Sequence, residues 1–334
     1  MTSSATQGRS AGRWLSGIGV AGEDSWTAPD ARRKLQLLLA GVWLLDAILQ
    51  FQAFMFSKDF ARMLGGTGPG NPGVIAGPIS WAARIIAQHG IVTDAIFAAV
   101  QLLIALGIAF RPTVRPALGV SIAWALAVWW LGEGLGGVLS GAASPVNGAP
   151  GAVILYALLA VLLWPPRRER PASFVAAGAT GPAVARALWF VLWGSLACLS
   201  LTPATRAPRA ISGMISDMAS GEPRWLGRTD QHLAAFLATR GGAAAVILAV
   251  VLAVVAAGIY LPPRARRAVL VLAIVTAAVL WVAQGLGGML TGGGTDPNSG
   301  PLLALLALAF WPLAARPELA QPELAQPELV EERH

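Results

Sequence analysis

The chain has 334 residues, of which 55% are hydrophobic and only 12% are charged. A soluble domain carries about 25% charged residues, so this composition excludes an ordinary soluble protein and is typical of a membrane protein. The formal net charge of +7 would suggest nucleic-acid binding in a soluble chain. Here the arginines flank apolar segments, which makes them topology signals, and no nucleic-acid partner is expected. The single cysteine, Cys198, excludes an intrachain disulfide, a CxxC redox pair and a thiolate zinc cluster.

Eight apolar segments follow a polar N-terminal arm, residues 1–30, which lacks the apolar core of a signal peptide. The segments run approximately over residues 35–56, 91–110, 117–131, 151–164, 187–201, 243–261, 268–282 and 302–314. A bilayer core of about 30 Å needs roughly 20 helical residues, so the fourth and eighth segments are short unless the preceding glycine-rich stretches extend them. The sequence predicts an all-α integral membrane protein with about eight transmembrane helices.

Basic residues are concentrated in alternate connections between the segments. The predicted inner connections and the arm contain Arg9, Arg13, Arg32, Arg33, Lys34, Arg111, Arg115, Arg167, Arg168, Arg170, Arg186, Arg264, Arg266 and Arg267. The short connections between the third and fourth segments and between the seventh and eighth segments contain no basic residue. The long connections between the first and second segments and between the fifth and sixth segments do contain basic residues, but long connections have little weight in the positive-inside rule. Both termini are therefore predicted to be cytoplasmic.

The second half of the chain repeats the first at a spacing of 151 residues, since Trp130 to Gly141 falls on Trp281 to Gly292 (281 − 130 = 151). Four spans per unit predict two tandem repeats with the same orientation, over residues 31–166 and 184–315. A cytoplasmic linker, residues 167–183, joins them. Residues 316–334 repeat a Pro-Glu-Leu-Ala-Gln sequence, and a disordered acidic tail is favoured there over a docking segment.

A glycine pattern, G-L-G-G-x-L-[ST]-G, occurs at a predicted outer helix end in each repeat. Its glycines are Gly134, Gly136, Gly137, Gly285, Gly287 and Gly288. Glycines permit irregular backbone that lines a cavity, and paired glycine-interrupted segments are typical of membrane binding sites. Close packing of neighbouring backbones explains the same pattern, and the sequence does not decide between the two interpretations.

Six polar residues in the first repeat form a candidate site for a cation, a proton relay or a divalent metal. They are Asp46, Gln50, His89, Asp94, Gln101 and Glu133. A charge at bilayer depth costs about 2.5–3.5 kcal/mol, so each is expected to face protein or water. In the second repeat Asp46 becomes Leu196, at a spacing of 150 at which Trp43 also meets Trp193, and His89, Asp94 and Glu133 become Arg240, Ala245 and Gln284 at the spacing of 151. Asp46, placed mid-span, is the residue on which the site hypothesis depends; the alternative is that arginines neutralise the carboxylates and the glutamines bond neighbouring helices.

Two further patterns bear on cofactors. Met214 and Met218 are four residues apart on the predicted outer side and could bind Cu(I), although packing of irregular structure is the favoured explanation. No Walker loop, dinucleotide fingerprint, HExxH or GxSxG pattern occurs, so no catalytic residue or cofactor is assigned. Two histidines outside the tail argue against a bis-histidine haem in each half.

The stretches Trp43 to Gln50 and Trp130 to Gly141, followed by Gly148 to Gly151, resemble an uncharacterised family of bacterial multi-spanning membrane proteins with a WxxGEGLGG-type motif. The four-helix unit is also loosely similar to DoxX-like membrane proteins. The resemblance implies a bacterial plasma-membrane location and carries no activity over to this chain.

These observations favour a transport or permeation protein that takes a cation, proton or small solute through an outward-facing site in the first repeat. Two alternatives stay open: a non-catalytic or quinone-handling subunit of a membrane redox complex, and a scaffold that binds an exported partner through its outer loops. The expected partners are the lipid bilayer, other membrane proteins or further copies of the chain. The sequence argues against an enzyme without excluding one.

Overall fold

The structure is a computed structural model that describes residues 28–166 and 172–313. Residues 1–27 of the predicted arm, 167–171 of the predicted linker and the whole predicted tail lie outside the described residues.

The described residues are predominantly α-helical and contain no β-strand. The first helices are α1 (Ala28–Leu49), α2 (Lys58–Gly65), α3 (Gly73–Ala109), α4 (Val114–Leu131) and α5 (Ala152–Leu162). They are followed by α6 (Ala177–Thr180), α7 (Pro182–Ser200), α8 (Pro203–Arg206), α9 (Ala210–Met218), α10 (Arg224–Leu237), α11 (Gly241–Gly258), α12 (Pro263–Ala283) and α13 (Ser299–Ala309). Short 3₁₀ turns at Gly134–Gly137 and Gly285–Gly288 follow α4 and α12.

Five of the described helices are long and apolar enough to cross a membrane: α3, α4 with its preceding turn, α7, α11 and α12. Helix α1 has 22 residues but carries Arg32, Arg33 and Lys34 near its start and Asp46 near its end. Helices α5 and α13 have 11 residues each, which is about 17 Å at 1.5 Å per residue. The eight predicted spans thus include three helices that are not among these five: α1, which carries charged residues, and α5 and α13, which are short.

Large apolar side chains cover much of the helix surfaces. On α11, Ile247 is 64% exposed while Leu252 is fully buried, and on α3, Leu103 is 68% exposed while Ile104 is buried. Soluble monomers rarely expose contiguous apolar surface of this kind. The arrangement suggests insertion in a lipid bilayer.

One apolar core contains side chains from both the earlier and the later helices of the chain. Helix α1 packs against α3 and α7 against α11, while α13 contacts both α5 and α1. Trp189 of α7 is fully buried in this core, and its indole N–H donates to Val255 O over 2.9 Å. The helices therefore form a continuous body around the seam between α5 and α13.

Helix α1 is displaced relative to the predicted segment 35–56, because its 22 residues begin at Ala28 and end at Leu49. Beyond it the chain turns towards residues 294–295, where Gln52 Nε2 donates to Gly294 O over 2.9 Å and Gln50 Nε2 to Thr295 O over 3.4 Å. Asp46 consequently lies in the last turn of α1, and its expected mid-span position is wrong.

The segment before residue 91 is also helical, which the apolar pattern did not predict. Helix α3 consists of two stretches, residues 73–88 and 90–109, and the second covers about 30 Å at 1.5 Å per residue, in agreement with the predicted segment 91–110. The helix is interrupted at His89, whose φ of −129° and ψ of 34° are not helical. In the later part of the chain Arg240 has a φ of −122° and separates α10 from α11.

Part of the predicted linker belongs to the core. Phe174 is fully buried and stacks on Phe310 with ring centroids 5.1 Å apart. The N–H of Ala176 donates to Ala309 O over 2.9 Å, so this segment is fixed to the end of α13. The guanidinium groups of Arg186 and Arg266 lie 5.7 and 5.9 Å from the Phe174 ring centroid.

Candidate functional site

A cavity of about 370 Å³ lies between α1, α2, α3 and α4 and is closed on one side by residues 295–296. We call it the inner cavity. Its acidic and amide side chains are Asp46, Gln50, Gln101, Glu133 and Asp296. None of the described residues that line it is lysine, arginine or histidine. Four of the six polar residues predicted from the sequence therefore meet at one place.

Asp46 is 2% exposed and forms part of the inner cavity wall. Its Oδ2 accepts a hydrogen bond of 2.5 Å from the Tyr156 hydroxyl, whereas its Oδ1 has no partner among the described residues. Tyr156 is held by the Trp43 ring, with centroids 4.3 Å apart, and Trp43 donates to Ser121 Oγ over 3.0 Å. The carboxylate thus has one oxygen fixed by α5 and one buried oxygen that the described residues leave without a hydrogen bond.

Gln50 and Gln101 are also buried, and both line the inner cavity. The amide Oε1 of each has no hydrogen-bond partner in the described part of the chain. Buried polar atoms are normally hydrogen-bonded, so these two oxygens are polar groups beside the cavity whose hydrogen-bonding capacity is unused by the described residues.

Glu133 connects the inner cavity to the start of α5. Its Oε1 accepts from the N–H groups of Ala152 and Val153 over 3.0 and 3.3 Å, in the position of a helix cap. Burial, and to a lesser extent the nearby charge of Asp296, raises the pKa of Glu133 to about 8 against these two hydrogen bonds. The carboxyl group therefore changes charge near neutral pH.

Asp296 brings a third acidic group to the cavity from the connection between α12 and α13. Its Oδ1 accepts from Asn298 N–H over 2.6 Å and its Oδ2 from the Thr295 hydroxyl over 3.0 Å. Burial raises the pKa of Asp296 above its ordinary value. Asp296 and Tyr156 were not predicted from the sequence. The one sequence feature that could have drawn attention to Tyr156 is that the chain has only two tyrosines.

His89 and Asp94, the other two predicted site residues, do not line the inner cavity. His89 is exposed at the interruption of α3. Asp94 lies five residues further along α3 and is 2% exposed, with an Oδ1 that has no partner among the described residues. The structure does not bring these two groups to the other four.

A second cavity, of about 590 Å³, adjoins the first and is called the outer cavity. The two share Met63, Thr67, Glu133, Thr295 and Asp296 in their walls. The outer cavity is also lined by Asn147, which is exposed and marks the protein surface. Glu133 and Asp296 therefore lie at the junction between a surface opening and the inner cavity.

The two glycine turns form part of the outer cavity wall and also pack closely. Gly136, Gly137, Gly287 and Gly288 line the cavity, and all four have positive φ. A Cβ atom on Gly136 would lie 2.0 Å from Pro150 O. The buried Gly134 and Gly285 do not line the cavity, and Cβ atoms there would meet Thr67 O at 2.5 Å and Glu222 Oε1 at 2.1 Å.

The predicted copper ligands lie apart from the inner cavity. Met214 packs in an apolar cluster with Ile211 and Ile215, and Met218 is 41% exposed beside the outer cavity. The described residues contain no group of three or more histidine, cysteine, aspartate or glutamate side chains that could hold a metal ion.

The positions that correspond to the site in the later part of the chain are apolar or fully bonded. Leu196 and Leu252, which correspond to Asp46 and Gln101, are buried in the core. Gln284, which corresponds to Glu133, donates to Pro145 O over 3.0 Å and accepts from Ser299 Oγ over 3.2 Å.

Three acidic side chains, two amides and an uncharged aromatic wall make the inner cavity suited to a positively charged ligand. No protein-family model, curated protein or solved structure matches the chain.

Proposed function

We propose that the protein binds a cation or proton at the inner cavity and passes it through the membrane. The carrying observation is the acidic character of the cavity wall, which has the carboxyl groups of Asp46, Glu133 and Asp296 and no basic group among its described residues. A nearby positive charge favours the ionised form of a buried carboxyl group, so such a wall can release protons as it binds a cation. Acidic side chains within membrane proteins are costly and are typical of ion and proton pathways.

The proposal includes eight spans arranged as two tandem repeats, with α1, α5 and α13 completing the set of spans. Corresponding features recur 151 residues apart. Helices α3 and α10 begin at Gly73 and Arg224 (224 − 73 = 151), each after a proline. Leu135 and Leu286 have similar unusual φ values of 57° and 52° (286 − 135 = 151). Such agreement supports a duplicated four-helix unit.

We propose that the outer cavity opens on the non-cytoplasmic side of a bacterial plasma membrane. Helix α4 begins beside Arg115 and ends beside Glu133, so the arginines and the site lie at opposite ends of the same helix. Arg264 and Arg267 are placed in the same way at the start of α12. The positive-inside rule assigns the arginine ends, and with them both termini, to the cytoplasm.

The path is closed on the arginine side of Asp46. Leu35, Leu39, Ile108, Leu159 and Leu162 are all fully buried in the apolar core there. The buried polar side chains next to these residues, Arg33 and Gln36, donate to the carbonyl groups of Ile108 and Leu163. No acidic side chain lies among these described residues to replace the hydration of a cation, so passage requires the helices around the core to move. The described arrangement corresponds to a state in which the site is reached from one side.

The test is cation or proton flux into liposomes that contain the purified protein. Asp46→Asn keeps the side-chain volume and removes the charge, and we expect it to lower flux at least about tenfold, because a hydrogen bond to a charged group contributes roughly 1.5–3 kcal/mol. Asp59→Asn is the control, since Asp59 is exposed on α2 and pairs with Arg62 away from the cavity. Equal flux through wild type and Asp46→Asn would contradict the proposal.

A further inference from the structure

Four side chains that line the inner cavity have a buried hydrogen-bond acceptor without a partner among the described residues. These atoms are Asp46 Oδ1, Gln50 Oε1, Gln101 Oε1 and Glu133 Oε2. Among the fully buried atoms of the described lining residues, the one donor without a partner is Trp124 Nε1. A ligand that satisfies this wall must supply several donors, because a buried acceptor left without one costs free energy.

The volume and the chemistry of the wall indicate an organic ligand. The cavity of about 370 Å³ is of the size of small-molecule sites, roughly 300–1,000 Å³. Within residues 28–166 and 172–313, which include the cavity wall, no three or more histidine, cysteine, aspartate or glutamate side chains are grouped so that they could hold a metal ion. An inorganic cation would therefore contact only a small part of this space.

Aromatic rings provide the rest of the wall. Trp43, Phe60, Phe97 and Trp124 line the cavity, and the Phe97 and Trp124 rings meet edge to face with centroids 5.6 Å apart. Aromatic faces attract cations and bury apolar groups. A ligand with an apolar body and a cationic head matches both kinds of wall.

We infer that the inner cavity binds a small protonated organic amine, whose ammonium N–H groups donate to Asp46, Gln50 and Gln101 while its apolar body lies among the aromatic rings. This inference rests on the proposed function and names its substrate class. An ammonium group supplies up to three donors and a positive charge. A quaternary ammonium supplies the charge without donors, and an alcohol supplies one donor without the charge.

Three probes with the same aromatic body separate these properties: benzylammonium, benzyltrimethylammonium and benzyl alcohol. Calorimetric titration of the full chain in lipid nanodiscs at pH 7 measures the affinity of each. We expect benzylammonium to bind at least about tenfold more tightly than the other two, since each lacks charge-assisted N–H donation. Equal affinity of benzyltrimethylammonium, or no binding of benzylammonium, would overturn the inference.

Variants then locate the bound amine. Asp46→Asn should weaken benzylammonium binding at least about tenfold, and Asp59→Asn should leave it unchanged. Gln101→Leu removes an acceptor without altering Asp46 and reproduces Leu252 of the later part of the chain. It should weaken benzylammonium more than benzyl alcohol; unaltered benzylammonium affinity in both cavity variants would place the amine elsewhere and refute the inference.

Flux distinguishes this inference from the function on which it rests. Flux of protons or alkali cations that depends on Asp46, combined with no preference for benzylammonium, would refute the amine and retain the proposed function. Amine binding that depends on Asp46, combined with no flux of amine, alkali cation or proton, would retain the binding site and refute passage across the membrane.

Discussion

Glu133 combines a structural contact with a place on the cavity wall. One carboxylate oxygen caps the start of α5 through Ala152 and Val153, while the other is buried without a partner among the described residues. Glycine is the only residue type that fits at position 151, because a Cβ atom there would lie 2.0 Å from Glu133 Oε2. A glutamine could keep the capping contact, as an amide oxygen also accepts hydrogen bonds.

The raised pKa of Glu133 predicts a pH-dependent stability. A carboxyl group whose pKa is about 8 in the folded protein, against 4.5 ordinarily, favours the folded state while protonated. This contribution is complete below pH 4.5 and is lost as the pH rises through about 8. Glu133→Gln should therefore lose less thermal stability than wild type between pH 6 and about pH 9, as measured by melting temperature in detergent.

Subtracting the two melting curves isolates Glu133 from other titrating groups. Glu222 is one such group, because burial, followed by the influence of Asp230, raises its pKa to about 7. It is present in both proteins and cancels. If wild type and Glu133→Gln lose the same stability over this range, the carboxyl group of Glu133 is not desolvated as described.

The polar residues that sequence reasoning could place are those that stand out in apolar runs. Asp46, Gln50 and Gln101 were identifiable because a polar group in such a run needs a special environment. Asp296 lies in a Thr-Asp-Pro-Asn turn, where an aspartate is ordinary, so nothing in its local sequence connected it with the cavity. Tyr156 was missed because a tyrosine in an apolar helix is equally typical of a membrane interface.

At the level of elements, the glycine turns fix how the short helices approach the long ones. Gly136 has a φ of +63°, and a Cβ there would lie 2.0 Å from Pro150 O. Gly136→Ala should therefore lower the free energy of unfolding by about 2–4 kcal/mol, from left-handed strain and overpacking together. Gly287→Ala should act similarly, since its φ is +73° and its Cβ would lie 2.6 Å from Pro297 C. Chemical or thermal unfolding in detergent measures both.

Gly194→Ala is the matched control for these substitutions. Gly194 lies within α7, and nothing stands within 4 Å of a Cβ built on it. Alanine should stabilise the helix by up to about 1 kcal/mol. Unchanged stability of Gly136→Ala would show that the turn relaxes without strain and does not fix the approach of α5.

The hydrophobic segments of the sequence predicted the existence of the long helices better than they predicted the first and last residues of those helices. The run from residue 91 matches the part of α3 that follows the interruption at His89, but a further helical stretch begins at Gly73 and precedes the interruption. The early part contains Pro78, Arg84 and Gln88, so it lacks the continuous apolar character of a span. Conversely, α1 stops early because Gln50 and Gln52 bond residues 294–295, a contact that no local pattern encodes.

At the scale of the molecule, the positions of the arginines predict the orientation. Reporter domains fused after Arg168 and Arg267 should be active on the cytoplasmic side, and those fused after Gly141 and Gly292 on the outside, because arginine-rich connections are retained in the cytoplasm. Paired reporters that work on opposite sides of the membrane provide the measurement. The reverse pattern would place the outer cavity on the cytoplasmic side and would refute an outward-facing site.

Composition predicted the membrane class and the helical fold, because a chain with 12% charged residues cannot cover a soluble surface. Composition does not determine the number of spans. Helices α5 and α13 have only 11 residues, and α1 carries charges at both ends. Their places depend on packing against one another, which is a property of the assembled chain.

Asp296 and Thr295 have a consequence for how the two parts of the chain could have diverged. The acidic cavity belongs to the earlier part, yet one of its walls comes from the connection that precedes α13. The later part has buried leucines at the positions of Asp46 and Gln101, so it lacks these two polar side chains but supplies residues 295–296 to the wall of the inner cavity. Under the proposed duplication and the proposed ligand site, mutational drift in the later copy is constrained at the 295–296 turn by a ligand that this copy does not bind alone, and a free-standing first copy would have needed a second polypeptide to close its site.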